Sequence, residues 1–300
     1  MIINKRTRFA PTPSGYLHIG NICNLIYTYL VSKKCGFDLG IRIDDFDRSR
    51  FRPEYLEDIF DTCSFLDVDF SFGPSSIREF EKNYSQYRNT DIYRSFKNKI
   101  RNVFICDCTR KSLYKNKTIV YPGFCLNKNL EVKANANLKT RIFLDDKLLL
   151  KYSTRFGEKD YNLNNIVGDF ILWNHLEDRP SYQLVSAVHD ILDKVGLVIR
   201  GEDLLLSSFS QEILRKSFGE KGKLNYIHHP LVREGEVKIS KSILGQTRGR
   251  LKDNMSLTEI LTFFSKTFLK SDRRFNTLGE LQTYFNDLTE ALSFESAQIK

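Results

Sequence analysis

Two short segments carry side chains suited to phosphate chemistry. In Arg8–Asn21 (R-F-A-P-T-P-S-G-Y-L-H-I-G-N) a His and two glycines follow two prolines. In Lys238–Ser242 (K-I-S-K-S) two ammonium groups and two hydroxyls fall within five residues. Pro11 and Pro13 stiffen the first segment, and Gly15 and Gly20 permit close backbone approach to a ligand. A helix beginning near His18 would aim its N-terminus at phosphate, and His18 could donate to phosphate oxygens. Alone, each segment also fits an ordinary turn or a basic surface loop. Together, about 220 residues apart, they read as two jaws on a nucleoside triphosphate. The chemistry such a pair suits is attack of a carboxylate on the α-phosphate with loss of pyrophosphate. The carboxylate is already a nucleophile, so positioning and charge neutralisation carry the rate.

A third constellation is Cys106-x-Cys108 followed by Tyr121-x-x-x-Cys125. Three thiolates and one more donor suit a tetrahedral structural Zn²⁺. A phenol is an unusual ligand, so residue chemistry leaves the fourth position open, and three buried cysteines would give the same pattern. Cys23, Cys35 and Cys63 are scattered and read as small buried hydrophobes.

Composition sets the class. The chain has 300 residues, 41% hydrophobic and 28% charged, which suits a soluble globular protein with a sizeable core. No apolar run approaches the roughly 18 residues of a membrane span. The start, Met-Ile-Ile-Asn-Lys-Arg, has no apolar signal core, so a cytoplasmic location is expected, and disulfides are not. The net charge of +9 is unevenly placed: Arg94–Lys151 holds 14 Lys and Arg against 4 Asp and Glu. A basic surplus confined to one segment predicts a localised polyanion-binding face.

The elements that must position these groups alternate. Thr7–Ala10 reads as a strand, His18–Lys34 as a helix (Ile22, Leu25, Ile26, Tyr29, Leu30) and Phe37–Ile43 as a strand ending in Asp44-Asp45-Phe46-Asp47. Strand, helix, strand at this length predicts a right-handed parallel βαβ unit. Ligands in such sheets lie beyond the carboxyl ends of the strands, where Ala10–Gly20 and Asp44–Asp47 fall. Helices are predicted over Pro53–Leu66 and Ser85–Lys99. Residues 101–160 lose helical period and read as an inserted module. The α/β pattern resumes with Asp169–Leu172, a helix over Ser181–Val195, a strand over Leu197–Arg200 and a helix over Ser207–Phe218. Helices over Leu257–Leu269 and Leu278–Leu292 end the chain.

These residues resemble the class I glutamyl-tRNA synthetases. His18-Ile19-Gly20-Asn21 is similar to their HIGH-type motif and Lys238–Ser242 to their KMSKS-type motif. Arg42–Arg48 (R-I-D-D-F-D-R) resembles their R-I-E-D-T-D-R, and Ser181–Leu184 and Val198–Asp203 resemble their downstream active-site segments. The resemblance runs from about residue 6 to 245. It is nearest to the short paralogues, the glutamyl-queuosine tRNA(Asp) synthetases. Only 58 residues follow Ser242, too few for an anticodon-binding domain; Tyr182-Gln183-Leu184 is close to their version; and Cys106, Cys108, Tyr121 and Cys125 look like their zinc site.

The resemblance implies a Rossmann-like α/β class I catalytic domain in halves 1–100 and 166–235. An inserted zinc-bearing, RNA-contacting module (101–165) would split it, and a KMSKS-type loop with a helical tail (236–300) would follow. It implies ATP with Mg²⁺ held by His18, Gly20, Asn21 and Lys241, with His18, Gly20, Lys238 and Lys241 catalytic. Arg8, Ala10, Thr12, Asp44, Tyr182 and Arg200 would bind L-glutamate. Arg8 and Arg200 suit its carboxylates, and Asp44, at the family's Glu position, would hold its ammonium. One structural Zn²⁺, a monomer without membrane contact, and tRNA, most specifically tRNA(Asp), complete the expectation. The glutamyl group would go to queuosine at the wobble position. Three alternatives are a small enzyme charging a tRNA 3′ end, a non-catalytic tRNA-binding pseudo-synthetase, and an H-x-G-H nucleotidylyltransferase. The last explains the first motif alone. The chain departs from the family pattern at Gly196-Leu197 and at His189-Asp190 as well.

Overall fold

The computed structural model describes residues 4–115, 120–132, 136–232, 249–288, 292 and 294–299. Lys238–Ser242, and with it both catalytic lysine expectations, lies outside the described residues.

A parallel sheet forms the centre. Strand β1 (Arg6–Phe9) leads through the turn to α1 (Ile19–Cys35) and back to β2 (Asp38–Ile41), which pairs parallel with β1 in the register Arg6↔Asp38 to Phe9↔Ile41. This is the predicted βαβ unit. Strand β9 (Leu197–Gly201) likewise pairs parallel with β10 (Asn225–His229) across the helix Leu205–Ser217. The two halves meet between β1 and β9, where Gly196 N donates to Arg6 O (2.9 Å). A side chain at 196 has no room, since a Cβ there would stand 1.8 Å from Asn4 O. That packing accounts for the departure at Gly196.

Chain order reverses at the β1–β9 boundary. Such a switch point opens a crevice at the carboxyl ends of the strands. Apolar residues of α1, α2 (Pro53–Phe65) and the helices Leu257–Phe268 and Leu278–Asp287 fill one core with β1 and β2. The helices Tyr182–Leu192 and Leu205–Ser217 fill a second core around Trp173, Leu184 and Phe209.

Two expectations change. Residues 101–165 are not one module. Strands β3 (Val103–Cys106), β4 (Lys139–Ile142), β7 (Ile171–Asn174) and β8 (Arg179–Pro180) form an antiparallel sheet that runs past residue 165. Strands β5 (Leu149–Thr154) and β6 (Gly157–Asn162) form a hairpin at the edge of the main sheet. The alternation of buried Leu150 and Tyr152 marks β5 as a half-buried strand. Nor is the tail wholly helical. The last helix stops at Asp287, and β11 (Glu295–Ile299) slots antiparallel between β10 and β5. Short, polar and non-periodic in isolation, β11 is a strand because two open edges receive it. No helix among the described residues is long and apolar enough to cross a membrane.

Candidate active site

A cavity of about 420 Å³ opens at the switch point. Arg8 and Ala10 at the end of β1, His18, Gly20 and Asn21 at the start of α1, and Tyr182 and Arg200 line it. Seven residues that sequence reasoning assigned to the site thus meet, although Arg8 and Arg200 are 192 positions apart in the chain.

His18 is the N-cap of α1. Its Nδ1 accepts from Asn21 N (3.3 Å), while Asn21 Oδ1 accepts from His18 N (3.2 Å). This reciprocal pair satisfies two donors at the helix start. With Nδ1 an acceptor, the ring proton of the neutral tautomer sits on Nε2, which can donate to a ligand. Partial desolvation by the cavity walls lowers the His18 pKa from 6.5, so the ring acts near pH 7 as a neutral donor. Gly20 leaves room for this arrangement: a Cβ there would stand 3.0 Å from the His18 ring and push it aside by a few tenths of an ångström. Leu17 N donates to Asp58 Oδ2 (2.8 Å), which fastens the turn to α2.

The acids are arranged differently from the sequence expectation. Asp44 is 2% exposed and does not line the cavity. Its Oδ1 accepts from Arg42 Nε (2.7 Å) and Gln86 Nε2 (2.7 Å), and Oδ2 from Arg42 Nη2 (3.2 Å). Asp44 is thus paired inside the fold with Arg42 and Gln86 and is not brought to the cavity wall with the other residues expected to bind the amino acid. Thr12 is exposed and also lies off the cavity. The central acid is Asp190. Arg8 Nε (2.8 Å) and Arg42 Nη1 (2.6 Å) both reach its Oδ1, and Arg8 Nη2 reaches Oδ2 (3.3 Å). Burial alone would raise the Asp190 pKa, but Arg8 and Arg42 hold it well below the ordinary carboxylate value. The signal in the sequence was an Asp among the apolar residues of the helix Tyr182–Leu192, a position that demands a buried partner.

Arg200 is the contrasting cation. It is 4% exposed and makes no ion pair among the described residues. Nη2 donates to Gln211 Oε1 (2.8 Å), and Gln211 is held in turn by Gln183 (3.2 Å). Nη1 is buried without a partner. Burial lowers the Arg200 pKa from its usual value, as expected for a guanidinium lacking a counter-anion. Asn24 and His229, not singled out from sequence, complete the wall (Nδ2 to Nε2, 2.8 Å).

The cysteine cluster forms as expected from its spacing. The three sulfurs of Cys106, Cys108 and Cys125 lie within 4.8 Å of one another, with Cys108 and Cys125 3.5 Å apart. The Tyr121 hydroxyl is 3.5 Å from Cys106 Sγ and 3.8 Å from Cys108 Sγ. A tetrahedron with the usual zinc–sulfur bonds has edges of about 3.8 Å, so this donor set fits one Zn²⁺. Beside it, a cleft lined by Phe46, Cys108, Lys139, Arg141 and Arg179 reaches Tyr182, which also borders the first cavity. Part of the basic surplus is balanced: Lys128 pairs with Asp107 (2.9 Å), Arg94 with Asp91 (3.0 Å) and Lys151 with Glu158 (2.5 Å). Lys99, Arg101, Lys111 and Lys147 are exposed.

Residues 4–298 match the family described as tRNA synthetases class I (E and Q), catalytic domain. A glutamate–tRNA ligase of Clostridioides difficile is 27% identical over 265 residues, covering 80% of this chain and 53% of the relative. One from Natranaerobius thermophilus is 29% identical over 280 residues, covering 86% and 56%. The crystal structure of a glutamate tRNA ligase from Elizabethkingia meningosepticum, in complex with its amino acid, superposes with a TM-score of 0.65 at 24% identity, over 80% of this chain and 52% of that one. That likeness shows the Rossmann-like α/β fold. The chain spans about half the length of these relatives.

Proposed function

The chain belongs to the class I tRNA synthetases (E and Q), catalytic domain, and from that premise we propose that it activates L-glutamate with ATP and Mg²⁺ and passes the glutamyl group to tRNA. One observation carries the amino-acid assignment. Arg200, buried in the cavity wall with Nη1 unpartnered, calls for an anion from outside the protein. The Arg8 charge is already met by Asp190, so Arg200 is the stronger anchor for a substrate carboxylate and Arg8 shapes the pocket floor. Ala10 and Tyr182 set the width. In the reaction, a carboxylate oxygen of glutamate bonds to the α-phosphorus while the bond to the pyrophosphate oxygen breaks. His18 Nε2–H and the first turn of α1 meet phosphate oxygens. Lys238 and Lys241 are assigned by resemblance to neutralise the leaving pyrophosphate. Magnesium, when bound with ATP, screens the same phosphates. An acceptor hydroxyl then attacks the acyl carbon and AMP leaves.

Zinc would be held by Cys106, Cys108 and Cys125, with Tyr121 in the fourth position. It would supply structure only, cross-linking a segment that has few buried apolar residues of its own. For the acceptor, we infer queuosine at the wobble position of tRNA(Asp), supported by the Cys₃Tyr convergence. The names of the relatives favour a second reading, charging of a tRNA 3′ end. Glutamate-dependent pyrophosphate–ATP exchange without tRNA tests activation; no exchange with any amino acid leaves the non-catalytic reading. Charging tRNA(Asp) with and without queuosine then tests the acceptor. A glutamyl ester on an unmodified tRNA(Glu) transcript would establish the 3′-end reading.

A further inference from the structure

Arg141 is a buried cation whose charge acts on the buried Asp169 carboxylate without a direct ion pair to it. It lies on β4 at 5% exposure and forms no ion pair among the described residues. Its Nη1 donates to Asp169 O (2.8 Å), but its Nε is buried with no partner. A guanidinium so placed is costly unless an anion faces it. Besides the Asp169 carboxylate, what it meets is the cysteine cluster. The Arg141 Cζ stands 3.9 Å from the centre of the Tyr121 ring, and Arg141 lines the same cleft as Cys108. Three thiolates around one Zn²⁺ leave the centre with a net negative charge, which an arginine in this position would balance. The planar face also fixes the Tyr121 ring, whose oxygen is held from the other side by Cys125 N (2.9 Å).

We propose that Arg141 is the counter-charge and positioning residue of the Cys106–Cys108–Tyr121–Cys125 metal centre. It offsets the excess negative charge of the thiolates and holds the Tyr121 oxygen at the fourth vertex. Lys139 assists from the same strand, its Nζ donating to Cys108 O (3.3 Å). Without Arg141 the centre keeps its sulfurs but loses affinity, as metal sites do when an outer partner is removed. The inference rests on the zinc reading above.

The test is zinc affinity of the full chain, measured by competition with a chromophoric chelator after the metal has been stripped. Wild type is expected to bind one equivalent. Arg141→Gln should weaken binding by roughly 10- to 100-fold, and Arg141→Lys, which keeps the charge but loses the planar stack, should fall between. The cobalt-substituted spectrum should shift in Arg141→Gln if Tyr121 leaves the fourth position. Arg141→Gln binding zinc as tightly as wild type overturns the proposal. So does Arg141→Lys binding as weakly as Arg141→Gln, because the role is then not one of charge. Should Arg141→Gln not fold, Arg141→Lys decides: a loss below about tenfold supports the proposal and a larger one overturns it. Absence of zinc binding by the wild type removes the zinc reading itself and this inference with it.

Discussion

At the scale of single residues, two arginines in one cavity differ because of a single acid. Asp190 satisfies Arg8 and Arg42 together, and Arg200 has no such partner. Removing the shared acid strands Arg8 and leaves Arg42 with Asp44 alone. Asp190→Asn is therefore expected to cost about 3–5 kcal/mol, read as a fall in the urea midpoint. A loss under 1 kcal/mol would show that Arg8 and Arg42 find other partners. Arg200→Ala should act on substrate instead. The glutamate kcat/KM in pyrophosphate exchange should fall roughly 10- to 100-fold, the worth of one charge-assisted contact. The KM for ATP should hardly move, and an equal rise in both would mean that the cavity had collapsed.

At the scale of elements, the helix Tyr182–Leu192 carries a neutral base next to the shared acid. Burial and the charge of Arg42 push the His189 pKa down to about 4 from 6.5, and its Nε2 contacts the Tyr93 hydroxyl (2.7 Å). In the unfolded chain His189 takes up its proton near pH 6.5, and in the fold only near pH 4. Its contribution is thus whole above pH 6.5 and is lost as pH falls toward 4. Asp190 adds nothing to that window, because its ordinary value, 3.8, already lies below it. Unfolding free energy should drop between pH 7 and pH 5, and His189→Asn should narrow the drop by about 2 kcal/mol. An unchanged gap would mean that His189 stays solvated. The β1–β9 seam offers a second check. Gly196→Ala forces a Cβ onto Asn4 O and should destabilise by at least about 2 kcal/mol. A neutral outcome would mean that residues 4–6 can move away.

At the scale of the whole molecule, Cys108 of the cysteine cluster and the basic residues Lys139, Arg141 and Arg179 line a cleft that reaches Tyr182 at the border of the cavity. RNA binding should weaken linearly in log–log terms as salt rises, with a slope near −0.9 for each duplex phosphate contacted. Stripping the metal should weaken RNA binding while leaving tRNA-independent activation largely intact. Parallel loss of both would show that the metal supports the catalytic half as well.

The motifs and the βαβ unit were legible in the sequence because they are local. Proline and glycine punctuation, the apolar stripe of α1 and the spacing of Cys106, Cys108, Tyr121 and Cys125 depend on neighbours in the chain. Family membership follows from those same segments. Partner choice among charges did not follow. Asp44, Asp190 and Arg200 are each an unremarkable charged residue until the packing of β1, β9 and the helix Tyr182–Leu192 decides which acid sits between which arginines. The placement of β5, β6 and β11 was hidden for the same reason. A strand is defined by the edge it joins, and that edge is supplied by residues up to about 150 positions away. Sequence alone thus determined the chemistry available to this protein. Only the tertiary structure decided which charges are satisfied within the fold and which, like that of Arg200, find no ion pair among the described residues, because burial makes every unpaired charge costly.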